Sequence, residues 1–95
     1  MKITGEGGEN TEAFIFVNTE AGLLWKVAEE ALKIEGVKIS KAVTGQFDVI
    51  IFAEFVKIDD LGIMIDKLQA IKGVVKSQTA IAMPLSSYML SDSED

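Results

Sequence analysis

The sequence predicts an α+β domain with the element order βαββαβ, and three observations carry that reading. First, Ala13-Phe14-Ile15-Phe16-Val17 and Phe47 through Val56 are apolar on both strand faces, broken only by Asp48 and Glu54; such runs suit strands inside a sheet. Second, Leu23, Leu24, Val27, Ala28, Ala31 and Leu32 fall at helical spacing, as do Leu61, Met64, Ile65, Leu68 and Ile71. Third, the chain repeats itself at an offset of 37 residues: Leu24, Val27, Ala28, Ala31, Ile34, Gly36, Val37 and Ser40 fall on Leu61, Met64, Ile65, Leu68, Ile71, Gly73, Val74 and Ser77. Two βαβ halves joined by a hairpin make the ferredoxin-like split pattern, a four-stranded antiparallel sheet with two helices on one face. Within it, right-handed crossovers are expected to bring strands one and three together as a parallel centre, with strands four and two at the edges.

Taken in order, residues 1–12 mix Gly, Glu, Asn and Thr without periodicity and read as a flexible arm before a domain of residues 13–84. After the first strand, Asn18-Thr19-Glu20 offers a cap for the first helix. Lys26, Glu29, Glu30 and Lys33 lie opposite its apolar stripe, and Trp25 lies beside the stripe as packing or contact surface. Gly36 is expected to stop the helix in a left-handed conformation. Val37-Lys38-Ile39-Ser40-Lys41-Ala42-Val43 alternates, as an edge strand with one wet face should. Asp59 or Asp60 is expected to cap the second helix, Gly73 to end it, and Val74 through Met83 to form the last strand. Pro84 prevents easy continuation of that ladder, and residues 85–95 make a C-terminal extension ending in an acidic tail.

Composition removes whole classes of chemistry. The 95 residues suffice for a single core. With no Cys and no His, disulfides, thiolate nucleophiles, the usual general base and the commonest metal ligands are missing, so neither a metal nor a cofactor is expected. No apolar run reaches the ~20 residues of a membrane span and the start is no secretory signal, which points to the cytoplasm and away from membranes. Of the net charge of −6, the two ends hold −5. Every basic residue is Lys; without Arg, bidentate recognition of phosphates and base edges is lacking, which argues against direct nucleic-acid binding.

One stretch stands out chemically. In Thr44-Gly45-Gln46-Phe47-Asp48, Gly45 can take positive φ and turn the hairpin, and Asp48 puts a carboxylate at the mouth of an apolar strand. The free N–H groups of such a turn can receive a carboxylate without Arg, and Asp48 can receive an ammonium, so the pair suits a zwitterion. The same residues equally describe a plain hairpin in which Asp48 bonds its own turn. Glu54 shares the strand parity of Asp48, but six residues of strand span ~20 Å, too far for joint acid–base work; Glu54 is expected to reach an interface or a helix Lys. An apolar sheet face left uncovered by helices, carrying Phe14 or Ile15 with Val49, Ile51 and Phe55, or their alternates, signals a partner surface, and self-association is the simplest occupant.

Over roughly residues 13–83 the chain resembles the RAM domain (regulation of amino acid metabolism) of Lrp/AsnC transcription regulators. The resemblance rests on Ala13 through Glu20, on Ile34-Glu35-Gly36-Val37, on Ile71-Lys72-Gly73-Val74 with Ser77-Gln78-Thr79, and above all on Ala42-Val43-Thr44-Gly45-Gln46-Phe47-Asp48, close to a V-T-G-x-Y/F-D turn. Ala21 stands where Pro is common in the family, a departure that touches only the helix cap. Only twelve residues precede the domain, no room for a helix-turn-helix, so the resemblance is to a stand-alone RAM domain. It implies a homodimer through the sheet face assembling to a higher oligomer, and an amino acid effector held near the glycine turn by Thr44, Gly45, Gln46, Phe47 and Asp48, with Ser77 and Thr79. A full-length Lrp/AsnC regulator is a further implied partner.

The expected function is therefore a non-enzymatic amino-acid effector-binding module that modulates transcription regulation or amino-acid metabolism. Two alternatives share the fold. A small cofactor-independent enzyme of the dimeric α/β-barrel type would have only Asp48, Glu54 and Tyr88 as proton carriers. An ACT-like amino-acid sensor would differ in how its sheets join.

Overall fold

The computed structural model describes residues 10–83. Its elements are β1 (Thr11–Thr19), α1 (Leu24–Ala31), β2 (Val37–Ala42), β3 (Val49–Phe55), α2 (Ile58–Gln69) and β4 (Val74–Ile81). The expected order βαββαβ is the observed one. Strand β1 takes in Thr11 and Glu12 from the expected arm, while residues 84–95 lie outside the described residues.

The sheet order is β2-β3-β1-β4, so the two strands apolar on both faces form the centre. They run antiparallel, with Phe14 opposite Phe52 and Val17 opposite Val49, not parallel as expected. The reason is topological. Each helix carries the chain to a strand one place beyond its neighbour, so β1 is parallel to β2 and the hairpin strand β3 fills the gap in the opposite direction.

One face of the sheet is the core. Ala13, Ile15 and Val17 of β1 and Val49, Ile51, Ala53 and Phe55 of β3 are buried under Val27, Ala28 and Ala31 of α1 and Leu61, Met64 and Leu68 of α2. Neither helix is capped as expected. Thr19 is still paired in β1, leaving Leu23 as the N-cap of α1, and Lys57 is the N-cap of α2; neither side chain makes a capping bond. Asp59 and Asp60 sit inside the first turn of α2, where they complement the positive end of the helix dipole.

The glycines of the repeat do not end helices directly. Helix α1 ends at Ala31, five residues before Gly36. Gly36 (φ +98°) and Gly73 (φ +106°) instead occupy the third position of tight turns closed by Val37 N–H to Ile34 O (3.1 Å) and Val74 N–H to Ile71 O (3.2 Å). A tight turn of type II requires positive φ there, which only glycine adopts cheaply. Each turn launches an edge strand, β2 or β4.

The other face carries Phe14 and Phe16 from β1 and Ile50 and Phe52 from β3, the alternates of the two parities left open by the sequence. The rings of Phe14 and Phe52 stand 5.3 Å apart. No helix among the described residues covers this face.

Candidate functional site

The β2–β3 connection is a short loop of Thr44-Gly45-Gln46-Phe47, closed by Val43 N–H donating to Asp48 O at 2.9 Å. Gly45 sits at φ +114°, with nothing within 4 Å of where a Cβ would point. Its conformation therefore demands glycine for backbone reasons, and the space above it is open. Thr44, Gly45 and Gln46 are exposed, whereas Phe47 and Asp48 are half-buried. The N–H groups of Gly45 and Gln46 find no backbone acceptor among the described residues.

Four contacts fix the loop. Asn18 Nδ2 donates to Gln46 O at 2.8 Å. Phe47 packs on Phe16 with ring centroids 5.2 Å apart. Asp48 Oδ2 accepts the N–H of Thr19 at 2.8 Å, while Asp48 N–H donates to Val17 O at 2.9 Å. The carboxylate thus ties the hairpin to the end of β1, just before the chain enters α1, and does not bond its own turn. Oδ1 accepts no hydrogen bond from the described residues and remains a candidate acceptor for an ammonium.

Ser77 and Thr79 are not brought to this loop within one chain. They pair with Val17 and Ile15 on the helix side of β4, whereas Asp48 has the parity of Ile50 and Phe52. Ser77 is two strand spacings from Val49, ~10 Å, and its Oγ accepts from Gln69 Nε2 at 3.3 Å. Glu54 accepts from Asn10 Nδ2 at 2.9 Å, neither helix Lys nor Asp48 being its partner.

Two features escaped the sequence reading. Asn18, assigned there to helix capping, is a clamp on the turn. Trp25, 74% exposed, lines an open cleft of about 610 Å³ with Leu24, Ala42, Val43 and Thr44, adjoining the loop at Thr44. An aromatic side chain off the buried stripe was the available signal; its nearness to Thr44 depends on the fold.

A family model described as the Lrp/AsnC ligand binding domain matches residues 12–89. The chain belongs to this family. Among solved structures, this Lrp/AsnC ligand binding domain is similar to a hypothetical protein from Pyrococcus horikoshii, at 31% identity and TM-score 0.72, covering 78% of this chain and 90% of that one. Escherichia coli AsnC shares the fold at 20% identity and TM-score 0.73, over 88% of this chain and 60% of AsnC. A transcriptional regulator from Neisseria meningitidis, solved as a complex with L-Met, shares it at 22% identity and TM-score 0.68, over 93% of this chain and 66% of that one. No curated protein matches the chain by sequence. Among the described residues no helix is long and apolar enough to cross a membrane, and no group of three or more metal-ligating side chains occurs.

Proposed function

We propose that this domain is a non-enzymatic effector-binding module for a free amino acid, that it self-assembles through its helix-free sheet face, and that it modulates transcription regulation or amino-acid metabolism. The observation that carries the reading is the loop at Gly45. Two N–H groups, those of Gly45 and Gln46, that find no acceptor among the described residues lie in the same short loop as a carboxylate that Thr19 holds by one oxygen. The ligand carboxylate sits on the N–H groups and its ammonium on Asp48 Oδ1, a charge-assisted bond. Family membership and the L-Met complex of the Neisseria regulator support an amino acid as the effector. Because Asp48 also holds the entry to α1, ligand charge at this carboxylate acts directly on the β1–α1 connection.

Ligand at tenfold its dissociation constant should add ~1.4 kcal/mol of stability, a melting shift on the order of 5–10 °C for so small a domain. Asp48→Asn should weaken binding by ~1–3 kcal/mol. A thermal-shift screen of the amino acids against both proteins tests this; no shift with any of them, or normal binding by the Asn variant, removes the assignment.

Self-association is supported by the chemistry of the open face. Phe14, Phe16, Ile50 and Phe52 form its apolar band. Lys41 and Lys76 lie towards one end of the strands, Glu12 and Glu54 opposite each other at the other end. Like charges facing across a strand pair are unfavourable. A second copy placed face to face, related by a two-fold axis parallel to the sheet and across the strands, sets each acidic end over a lysine end. Phe52→Asp should leave the domain folded and monomeric, because that residue is only half-buried in one chain. Ile51→Asp should unfold it, since Ile51 is fully buried and an unpaired carboxylate there costs several kcal/mol. Light scattering after size exclusion, with circular dichroism, separates the two outcomes, and a monomeric parent chain at micromolar concentration defeats the assembly proposal.

A further inference from the structure

The internal repeat is broken where Leu23 has Asp60 as its counterpart, and a cavity lies beside that break. In the second half, a Cβ on Gly73 would meet Leu23 Cβ and Cδ1 at 3.0 Å and Val27 Cγ2 at 3.1 Å. The residues 37 positions beyond Leu23 and Val27 are Asp60 and Met64. Met64 reaches Gly36 as Val27 reaches Gly73, but a carboxylate cannot fill apolar space as Leu23 does. A cavity of about 230 Å³ remains beside Gly36, at the opposite end of the β2–β3 hairpin from Gly45. Phe55, Ile63 and Met64 give its wall apolar character, and Glu35, Glu54, Asp60 and Lys67 line it with charge, Glu54 accepting from Asn10 Nδ2 at 2.9 Å.

These charges are not spent on each other. Among the described residues the single ion pair is Glu30 with Lys33, at 3.1 Å. Asp60 and Lys67 lie seven residues apart on α2, two turns or ~10 Å along the axis. The α-ammonium and α-carboxylate of an amino acid, borne on one carbon, are too close together to span that separation. A molecule with its charges at the two ends of a short aliphatic chain can, and its methylene groups then lie against Met64 and Ile63.

We propose that this cavity binds an ω-amino carboxylate, with the carboxylate on Lys67, the ammonium between Asp60 and Glu35, and the aliphatic chain on Met64 and Ile63. Lysine and an ω-amino acid such as 6-aminohexanoate share this chemistry. The site does not depend on the loop at Gly45, which needs an ammonium and a carboxylate side by side.

The test uses 6-aminohexanoate, which lacks an α-ammonium, in calorimetric titration of the full chain. Saturable binding is expected. Lys67→Met and Asp60→Asn should each weaken it roughly fivefold, as expected for a partly exposed charge contact. Both residues are exposed, so both variants should fold. Asp48→Asn should change nothing. Displacement by lysine supports the site with a basic amino acid as its source; displacement by 5-aminopentanoate but not lysine supports it with a ligand that carries no α-ammonium. Absence of saturable binding, binding insensitive to both single variants, or its loss in Asp48→Asn overturns the proposal. Binding of an amino acid at the Gly45 loop would survive any of these results.

Discussion

Gly36 and Gly73 occupy the same place in the two halves of the chain, yet their surroundings are built differently. Both have positive φ, both sit in a turn closed three residues apart, and both launch an edge strand. Each also packs against the helix of the other half, Gly36 on Met64 of α2 and Gly73 on Leu23 and Val27 at the start of α1. The halves therefore close on each other reciprocally. They differ in what presses on the glycine. Gly73 is buried and faces the Cβ of Leu23, which is fixed to the backbone, while Gly36 faces the end of a flexible Met64 side chain. A repeat thus preserves the geometry of close approach without preserving how firmly each site is filled. The more loosely filled glycine site, at Gly36, has a cavity of about 230 Å³ beside it.

The largest expected effect breaks this symmetry at its tighter end. Gly73→Ala imposes the left-handed backbone penalty of ~1–2 kcal/mol on a residue with a side chain. It also overpacks Leu23 and Val27, a further ~1–3 kcal/mol. Thermal unfolding should show a fall in Tm of roughly 10 °C or more, using several degrees per kcal/mol for a domain of this size. Gly36→Ala suffers the same backbone penalty, and a Cβ there would stand 2.5 Å from Met64 Cε and 3.1 Å from Glu54 O. The methionine tip can swing away, so the loss should be smaller, and Met64→Val should recover part of it in the double variant. Equal losses at the two glycines, or no coupling between Gly36→Ala and Met64→Val, would show that the contacts are interchangeable after all.

The same asymmetry explains what the sequence could convey. The repeat is written in apolar positions and glycines, so the βαββαβ order and the central pair of strands were legible from spacing alone. The parity of the open face was not, because both Ile15 and Phe14, and both Ile51 and Phe52, are large and apolar; only the position of the helices decides between them. The caps were misread for a tertiary reason. Asn18 and Thr19 have good capping chemistry, but β4 extends the ladder to Thr19, and Asp48, 29 residues away, takes its N–H. The loop at Gly45 was legible as a turn with a carboxylate beside it. That this carboxylate is half engaged, and that Ser77 and Thr79 face the helix side, depends on register, which local sequence does not encode.

The smallest expected effect compares the two serines of the repeat, Ser40 and Ser77. Both face the helix side of an edge strand and both are half-buried. Ser40 Oγ donates to Ala28 O at 2.8 Å, a bond to the carbonyl of a buried helix residue. Ser77 Oγ only accepts from the exposed side chain of Gln69, at 3.3 Å. Removing the first hydroxyl takes away a short bond to a partly buried acceptor, so Ser40→Ala should cost about 0.5–1.5 kcal/mol. Ser77→Ala should cost no more than a few tenths, because water replaces the lost partner of Gln69. Urea unfolding at equal m-values resolves a difference of that size. If Ser77→Ala proves as costly as Ser40→Ala, its hydroxyl has a partner beyond Gln69. A loss that appears only with an amino acid present would place that partner in the ligand.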